Sequence, residues 1–146
     1  MRRFLFLLIL LATCSVAAFA ENQIEPPISC KQCGMDRTVF NQSRTLISYA
    51  DGGSVGTCSI HCVAAELREN QAKKVKGIQV ADCKTRTLID ARNAVWVIGG
   101  KKSGVMTEVG KWAFAHKEDA EAFRATNGGK LSDFDEALEL SRKELD

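Results

Sequence analysis

Apolar and polar positions alternate in short blocks from residue 45 onward. Thr45-Leu46-Ile47-Ser48-Tyr49 has the composition of a short strand, and Asp51-Gly52-Gly53 is a turn signal. Ser54 to Thr57 then reads as a return strand, so a hairpin is predicted here. Ser59 can cap a helix reaching about Asn70. Within it Ile60, Val63, Ala64 and Leu67 recur at the i, i+3, i+4, i+7 spacing of a buried stripe.

The second part repeats this rhythm. Beyond a lysine-rich link, Ile78–Asp82 and Thr87–Asp90 are predicted strands around Lys84-Thr85-Arg86. Ala94–Ile98 is an apolar strand stopped by Gly99-Gly100, and Trp112–Ala115 is another. Lys117–Thr126 is predicted helical, with Ala120 and Phe123 inward, and Gly128-Gly129 ends it. Ser132 is read as the cap of a last helix, Asp133 to about Glu144, with Phe134, Ala137, Leu138 and Leu145 on one face. Hairpins interleave with helices and no long βαβ unit is present. The expected class is α+β with mostly antiparallel sheet. Each half also places a glycine near a methionine (Gly34-Met35 and Gly104-Val105-Met106) before strand and helix. Two related ββα-like halves in one domain would produce this echo.

The first twenty residues follow a different pattern. Met1-Arg2-Arg3 is basic, Phe4–Leu11 is unbroken apolar, and Ala18-Phe19-Ala20 is a small-x-small end. This is the three-part layout of an export signal. Cleavage after Ala20 is expected, with acylation at Cys14 as the alternative; a transmembrane anchor fits less well, since the apolar run is short. The chain thus divides into an export signal (1–20), an extended leader ending in Pro26-Pro27 (21–29), and a folded domain (30–146). The expected location is the periplasm, with membrane attachment only through the signal or a lipid at Cys14.

The chain carries 20 Lys and Arg against 18 Asp and Glu. Removing Arg2 and Arg3 with the signal brings the two into balance. Neutrality offers no electrostatic reason for nucleic acid or an anionic membrane as a partner. No Ser/His/Asp order, motif-borne carboxylate pair or phosphate loop is present, so no catalysis is expected.

Of the six cysteines, Cys14 falls in the signal, leaving Cys30, Cys33, Cys58, Cys62 and Cys83. An exported chain meets an oxidising compartment where disulfides are the default. An odd count argues against complete pairing, while a single disulfide such as Cys30–Cys62 or Cys33–Cys58 stays physically open. Cys30-x2-Cys33 and Cys58-x3-Cys62 are two short-spaced pairs separated by the hairpin. A loop pair plus a pair at a helix start is how small four-cysteine zinc sites are built. Four residues of helix rotate by about 40° net, so Cys58 and Cys62 share a face if the helix reaches Cys58. The stripe of Ile60, Val63, Ala64 and Leu67 faces the other way. His61 is a further candidate ligand, although such a histidine is more often a partly exposed polar residue. Thiol redox catalysis is disfavoured, because Gly34 follows Cys33 where a thioredoxin-like site needs a helix.

Methionine bears on the choice of metal. A neutral thioether is a poor zinc ligand and a good Cu(I) ligand. Beyond Met1, the chain has only Met35, two residues from Cys33, and Met106 in the loop "SGVMTE". Either can instead be a gap-filler in the core. Cu(I) and Zn2+ both remain open at this point.

Several segments together resemble the NosL family, accessory proteins of nitrous oxide reductase. They are "CGM" (33–35), "TLIDARNAVWVIGG" (87–100), "GVMTEVGKWAFAHKEDAEAF" (104–123) and "NGGKLSDFDEAL" (127–138). The resemblance implies an exported, usually lipid-anchored Cu(I) metallochaperone with an α+β fold of two related halves. Its implied partners are a copper-receiving enzyme and an assembly transporter. It also implies Cys33, Met35 and Met106 as copper ligands, with Cys62 at the family's usual cysteine near the first helix. Cys30, Cys58 and His61 look like additions. The CxxC plus CxxxC arrangement resembles TRASH-type metal-binding treble clefs, which implies a four-thiolate zinc or heavy-metal site beside or instead of copper.

Overall fold

The computed structural model describes residues 24–146; the signal reading of residues 1–20 lies outside them. Ten elements follow in chain order: β1 (Thr45–Tyr49), β2 (Ser54–Thr57), α1 (Ile60–Glu69), β3 (Val75–Ala81), β4 (Leu88–Asp90), β5 (Val95–Ile98), β6 (Lys111–Phe114), α2 (Lys117–Asn127), β7 (Lys130–Ser132) and α3 (Phe134–Lys143). They form two antiparallel sheets, ordered β2-β1-β3-β4 and β6-β5-β7. The fold is α+β, as the pattern predicts.

The two halves share one topology. In each, the first strand is central. Its hairpin partner lies on one side, and the strand after the helix lies on the other. The repeating unit is therefore ββαβ rather than ββα. The closing strand of the second half, β7, is three residues after Gly128-Gly129 and carries too little pattern to predict.

A large core joins the halves. Ile47, Tyr49, Ile60, Val63, Ala64, Ile78 and Val80 from the first meet Trp96, Ile98, Ala113 and the α3 residues Phe134, Ala137 and Leu138. The continuous apolar run Val95–Ile98 is buried on both faces. Trp96 and Ile98 point into this core, while Val95 and Val97 pack with Trp112, Phe114 and Ala120 of the α2 side. The Cys83 N–H donates to the Ala113 carbonyl (2.8 Å), tying the halves together.

Two local expectations need correction. α3 begins one residue later than read, and its cap is Asp133, whose carboxylate accepts from the Glu136 N–H at 2.9 Å; Ser132 belongs to β7. The carboxylate in the N-cap position competes better for the free N–H groups of the first turn. Ser59 does occupy the N-cap position of α1, but makes no side-chain capping bond.

From Ile24 onward the leader lies against the domain. Ile24 is buried, and Glu25 pairs with Arg37 and Arg44. Arg37 is fully buried. Its guanidinium donates to the carbonyls of Glu25 (2.9 Å), Pro27, Thr45 (2.9 Å) and Thr57 (3.2 Å), and to the Glu25 carboxylate. It crosses Gly56 so closely that a Cβ there would fall 2.4 Å from Nη1. One side chain thus joins the leader to β1 and β2, beside the segment that carries the cysteines.

Candidate metal centre

The stretch 30–35 is a tight turn. The Cys30 N–H donates to the Met35 carbonyl (2.8 Å), and the Gly34 N–H donates to the Cys30 carbonyl (2.9 Å). Gly34 has φ +75°, a left-handed conformation that a side chain would strain. The Lys31 N–H donates to the Gly56 carbonyl (3.0 Å), docking the turn on β2. β2 then leads directly into Cys58, whose carbonyl accepts from the Ser43 hydroxyl (2.8 Å). Ser59 is the N-cap of α1, and Cys62 lies in the first helical turn. The turn and the helix start therefore meet across β2.

Their sulfurs converge. The Sγ atoms of Cys30, Cys33, Cys58 and Cys62 all lie within 4.8 Å of one another, with Cys33–Cys58 at 3.5 Å and Cys58–Cys62 at 3.7 Å. At a metal–sulfur distance of about 2.3 Å, a tetrahedron separates its sulfurs by about 3.8 Å and a trigonal plane by about 4.0 Å. The cluster accepts a soft ion in either arrangement. All five described cysteines are free thiols. Cys30, Cys58 and Cys62 are buried, and only Cys33 of the four is partly exposed.

The cluster holds one negative charge easily and further ones with difficulty. Hydrogen bonds from Cys58 and then Cys62 lower the Cys30 thiol far below the ordinary range. The same contacts, facing Cys30, push Cys58 and Cys62 up. A cation placed among the sulfurs removes that mutual repulsion and releases protons as it binds. The free N–H groups at the start of α1 favour negative sulfur at this end.

A polar clamp behind the cluster was not anticipated from the sequence. Glu66 is buried one turn beyond Cys62. It accepts from the Gln32 amide (2.7 Å), the Tyr49 hydroxyl (2.9 Å) and the Asn70 amide (3.0 Å). Gln32 lies between Cys30 and Cys33, and also reaches Glu69 (3.0 Å). The signal existed: Cys62, Glu66 and the C-cap residue Asn70 are each four residues apart, whereas Cys58 lies just before the helix begins. That spacing repeats one helical face.

The other candidate ligands are placed differently. Met35 is partly buried and packs against the apolar group containing the cysteines. Met106 is 44% exposed, has φ +63°, and shares a shallow groove with His61, Thr107, Glu108, Val109 and Glu144. His61 Nδ1 lies 3.3 Å from Glu144 Oε2, and His61 is not among the converging ligands. Glu144 also meets Thr107 (2.9 Å) and the buried Lys111 ammonium (2.7 Å), which fixes the Met106 loop to α3. Cys83 is buried in the same apolar group but is not one of the four converging sulfurs; burial pushes its thiol up.

Fold and site together define a two-halved α+β protein with a four-thiol cluster at a turn–helix junction. The chain belongs to the NosL family, whose sequence model matches residues 21–140. It is similar to the crystal structure of the copper chaperone NosL from Shewanella denitrificans. The two are 28% identical with a TM-score of 0.58, over 77% of this chain and 94% of that one. A search of curated proteins found no match.

Proposed function

We propose that this chain is an exported Cu(I) metallochaperone. The observation that carries the reading is the convergence of four thiols within 4.8 Å, with a thioether, Met35, packed against the same group. Family membership and the likeness to a copper chaperone support it. Cys33 anchors the ion, because it is the most accessible of the four sulfurs and the neighbour of Gly34-Met35. Met35 and Met106 complete the bound site as neutral, weaker donors, and Cys30, Cys58 and Cys62 are auxiliary ligands. A thioether cannot be blocked by protonation, and its weak bond permits hand-over by ligand exchange. Copper is cargo, not a catalytic cofactor, and the chain acts as a carrier rather than an enzyme.

The receiver is a copper enzyme or its assembly transporter, with the nitrous oxide reductase system as the first candidate. Residues 1–20 direct export to the periplasm, and acylation at Cys14 would hold the carrier at the membrane. The mass of the mature N-terminus distinguishes cleavage after Ala20 from lipidation.

Metal analysis of the anaerobically purified chain, with Cu(I) titration against a competing chelator, tests the reading. One tightly held Cu(I) per chain is expected, weakened at least tenfold by Met35→Leu and by Met106→Leu. Unchanged affinity in both variants removes the methionines from the mechanism. The sulfur spacing also favours a second reading, a zinc-stabilised interaction domain. One tight zinc per chain, indifferent to both methionines, would establish it in place of the first.

A further inference from the structure

Cys33 and Cys58 lie 3.5 Å apart between sulfurs, and they differ from the other two in setting. Cys33 lies in a turn beside Gly34, and Cys58 precedes the N-cap of α1, so neither is held inside a helix. Cys62 is fixed in the first turn of α1, and Cys30 is pinned through its N–H and its carbonyl. Disulfide formation needs the 3.5 Å gap to close by about 1.5 Å. Rotation of two loop side chains is the least costly way to do this. Access points the same way. An external disulfide must first meet an exposed sulfur, and only Cys33 of the four is partly exposed.

We infer that Cys33 and Cys58 form a reversible disulfide by exchange with an external disulfide, giving the cluster a second, metal-excluding state. This rests on the cluster being the metal site proposed above. In the first step Cys33 sulfur attacks the external disulfide. A Cys33–sulfur bond forms, the external S–S bond breaks, and one external thiol departs with the Cys33 proton. In the second step Cys58 sulfur attacks Cys33 sulfur. The Cys33–Cys58 bond forms, the bond between Cys33 and the external sulfur breaks, and the second external thiol departs with the Cys58 proton. The protein loses two electrons and two protons, and the external disulfide is reduced to two thiols. Cys30 and Cys62 remain as thiols, but half of the four-sulfur set no longer binds metal. Excess external thiol reverses both steps. An ion already bound occupies both sulfurs and blocks the first attack, so loaded carrier is protected and empty carrier is closed.

The test uses the full chain, reduced and metal-free, treated with oxidised glutathione under native conditions. Free thiols should fall by two, peptide mapping should find Cys33 linked to Cys58, and Cd2+ binding, read by thiolate charge-transfer absorbance, should drop at least tenfold. Reduction should restore it. Cys58→Ser should stop at one glutathione on Cys33, and prior loading with Cd2+ should prevent the reaction. A linkage through Cys83, a linkage that leaves Cys33 free, or undiminished Cd2+ binding by the oxidised chain would overturn the inference. Cu(I) titration of the reduced chain is a separate readout. Its failure removes the carrier function and leaves the mapped disulfide in place.

Discussion

Glu66 holds Gln32 at 2.7 Å, joining the helix that bears Cys62 to the turn that bears Cys30 and Cys33. The same carboxylate accepts from the buried Tyr49 hydroxyl. Glu66→Ala leaves that hydroxyl unpaired, which costs about 1–3 kcal/mol. It also releases the Cys30–Cys33 turn. Urea unfolding should shift to lower midpoint, and Cd2+ should bind more weakly. Glu66→Gln keeps an acceptor for Tyr49 and should be milder on both counts. Full Cd2+ affinity in Glu66→Ala would show that the turn holds its geometry without the clamp.

Arg37 is the corresponding anchor on the other side of the turn. Its removal costs the Glu25 carboxylate one of its two arginine partners and frees four carbonyls, of which those of Thr45 and Thr57 are buried. Arg37→Met should destabilise by about 1–3 kcal/mol, the cost of leaving buried carbonyls unpaired. Gly56→Ala should act in the same direction, because the added Cβ takes the space of the guanidinium. Denaturant midpoints measure the first effect. Faster proteolysis between residues 24 and 29 would report undocking of the leader.

Asp82 gives a pH dependence. Burial pushes its carboxyl up, but donation from the Thr85 hydroxyl and the Thr85, Lys84 and Ala115 N–H groups outweighs this, and the net shift is downward from 3.8. The native state therefore binds this proton more weakly than the unfolded chain does. The resulting stability is complete above the ordinary carboxylate range and is lost as pH falls through it toward the native value. Asp82→Asn should lower stability near neutral pH and flatten the acid limb of a stability–pH curve. Parallel curves for the two proteins would refute the assignment.

Glu144 separates local from global effects. Glu144→Ala removes the carboxylate from the buried Lys111 ammonium and from Thr107. Hydrogen exchange should quicken across residues 104–110, while the thiol cluster, on other elements, keeps its Cd2+ absorbance. A loss of that absorbance would mean that the Met106 loop and the cluster are one cooperative unit.

Much of this was legible from pattern alone. Thr45–Tyr49, Ser54–Thr57 and the stripe of α1 follow local rules, and the structure has them at those positions. The pairing of Cys30–Cys33 with Cys58–Cys62 followed from spacing, because a turn and a helix start each fix two sulfurs locally. What escaped depends on distant partners. β7 exists because β5 offers it an edge, not because Lys130–Ser132 favours a strand. Glu66 reads as a solvated residue until Tyr49 and Gln32 arrive from 17 and 34 residues away. The burial of Arg37 depends on Glu25 and on the missing side chain of Gly56. The meeting of Met106 and His61 in one groove is set by how α3 and the 104–110 loop pack, which no local spacing encodes.

The four sulfurs come from two places in the chain, the 30–33 turn and the start of α1. An ion among them is therefore a removable cross-link around the β1–β2 hairpin. Whatever free energy the ion contributes by closing that loop is withdrawn when it leaves. Under the proposed function, delivery would change the carrier itself. The chain that arrives loaded is the stiffer one, and the chain that departs empty is softer at the surface that has just been used.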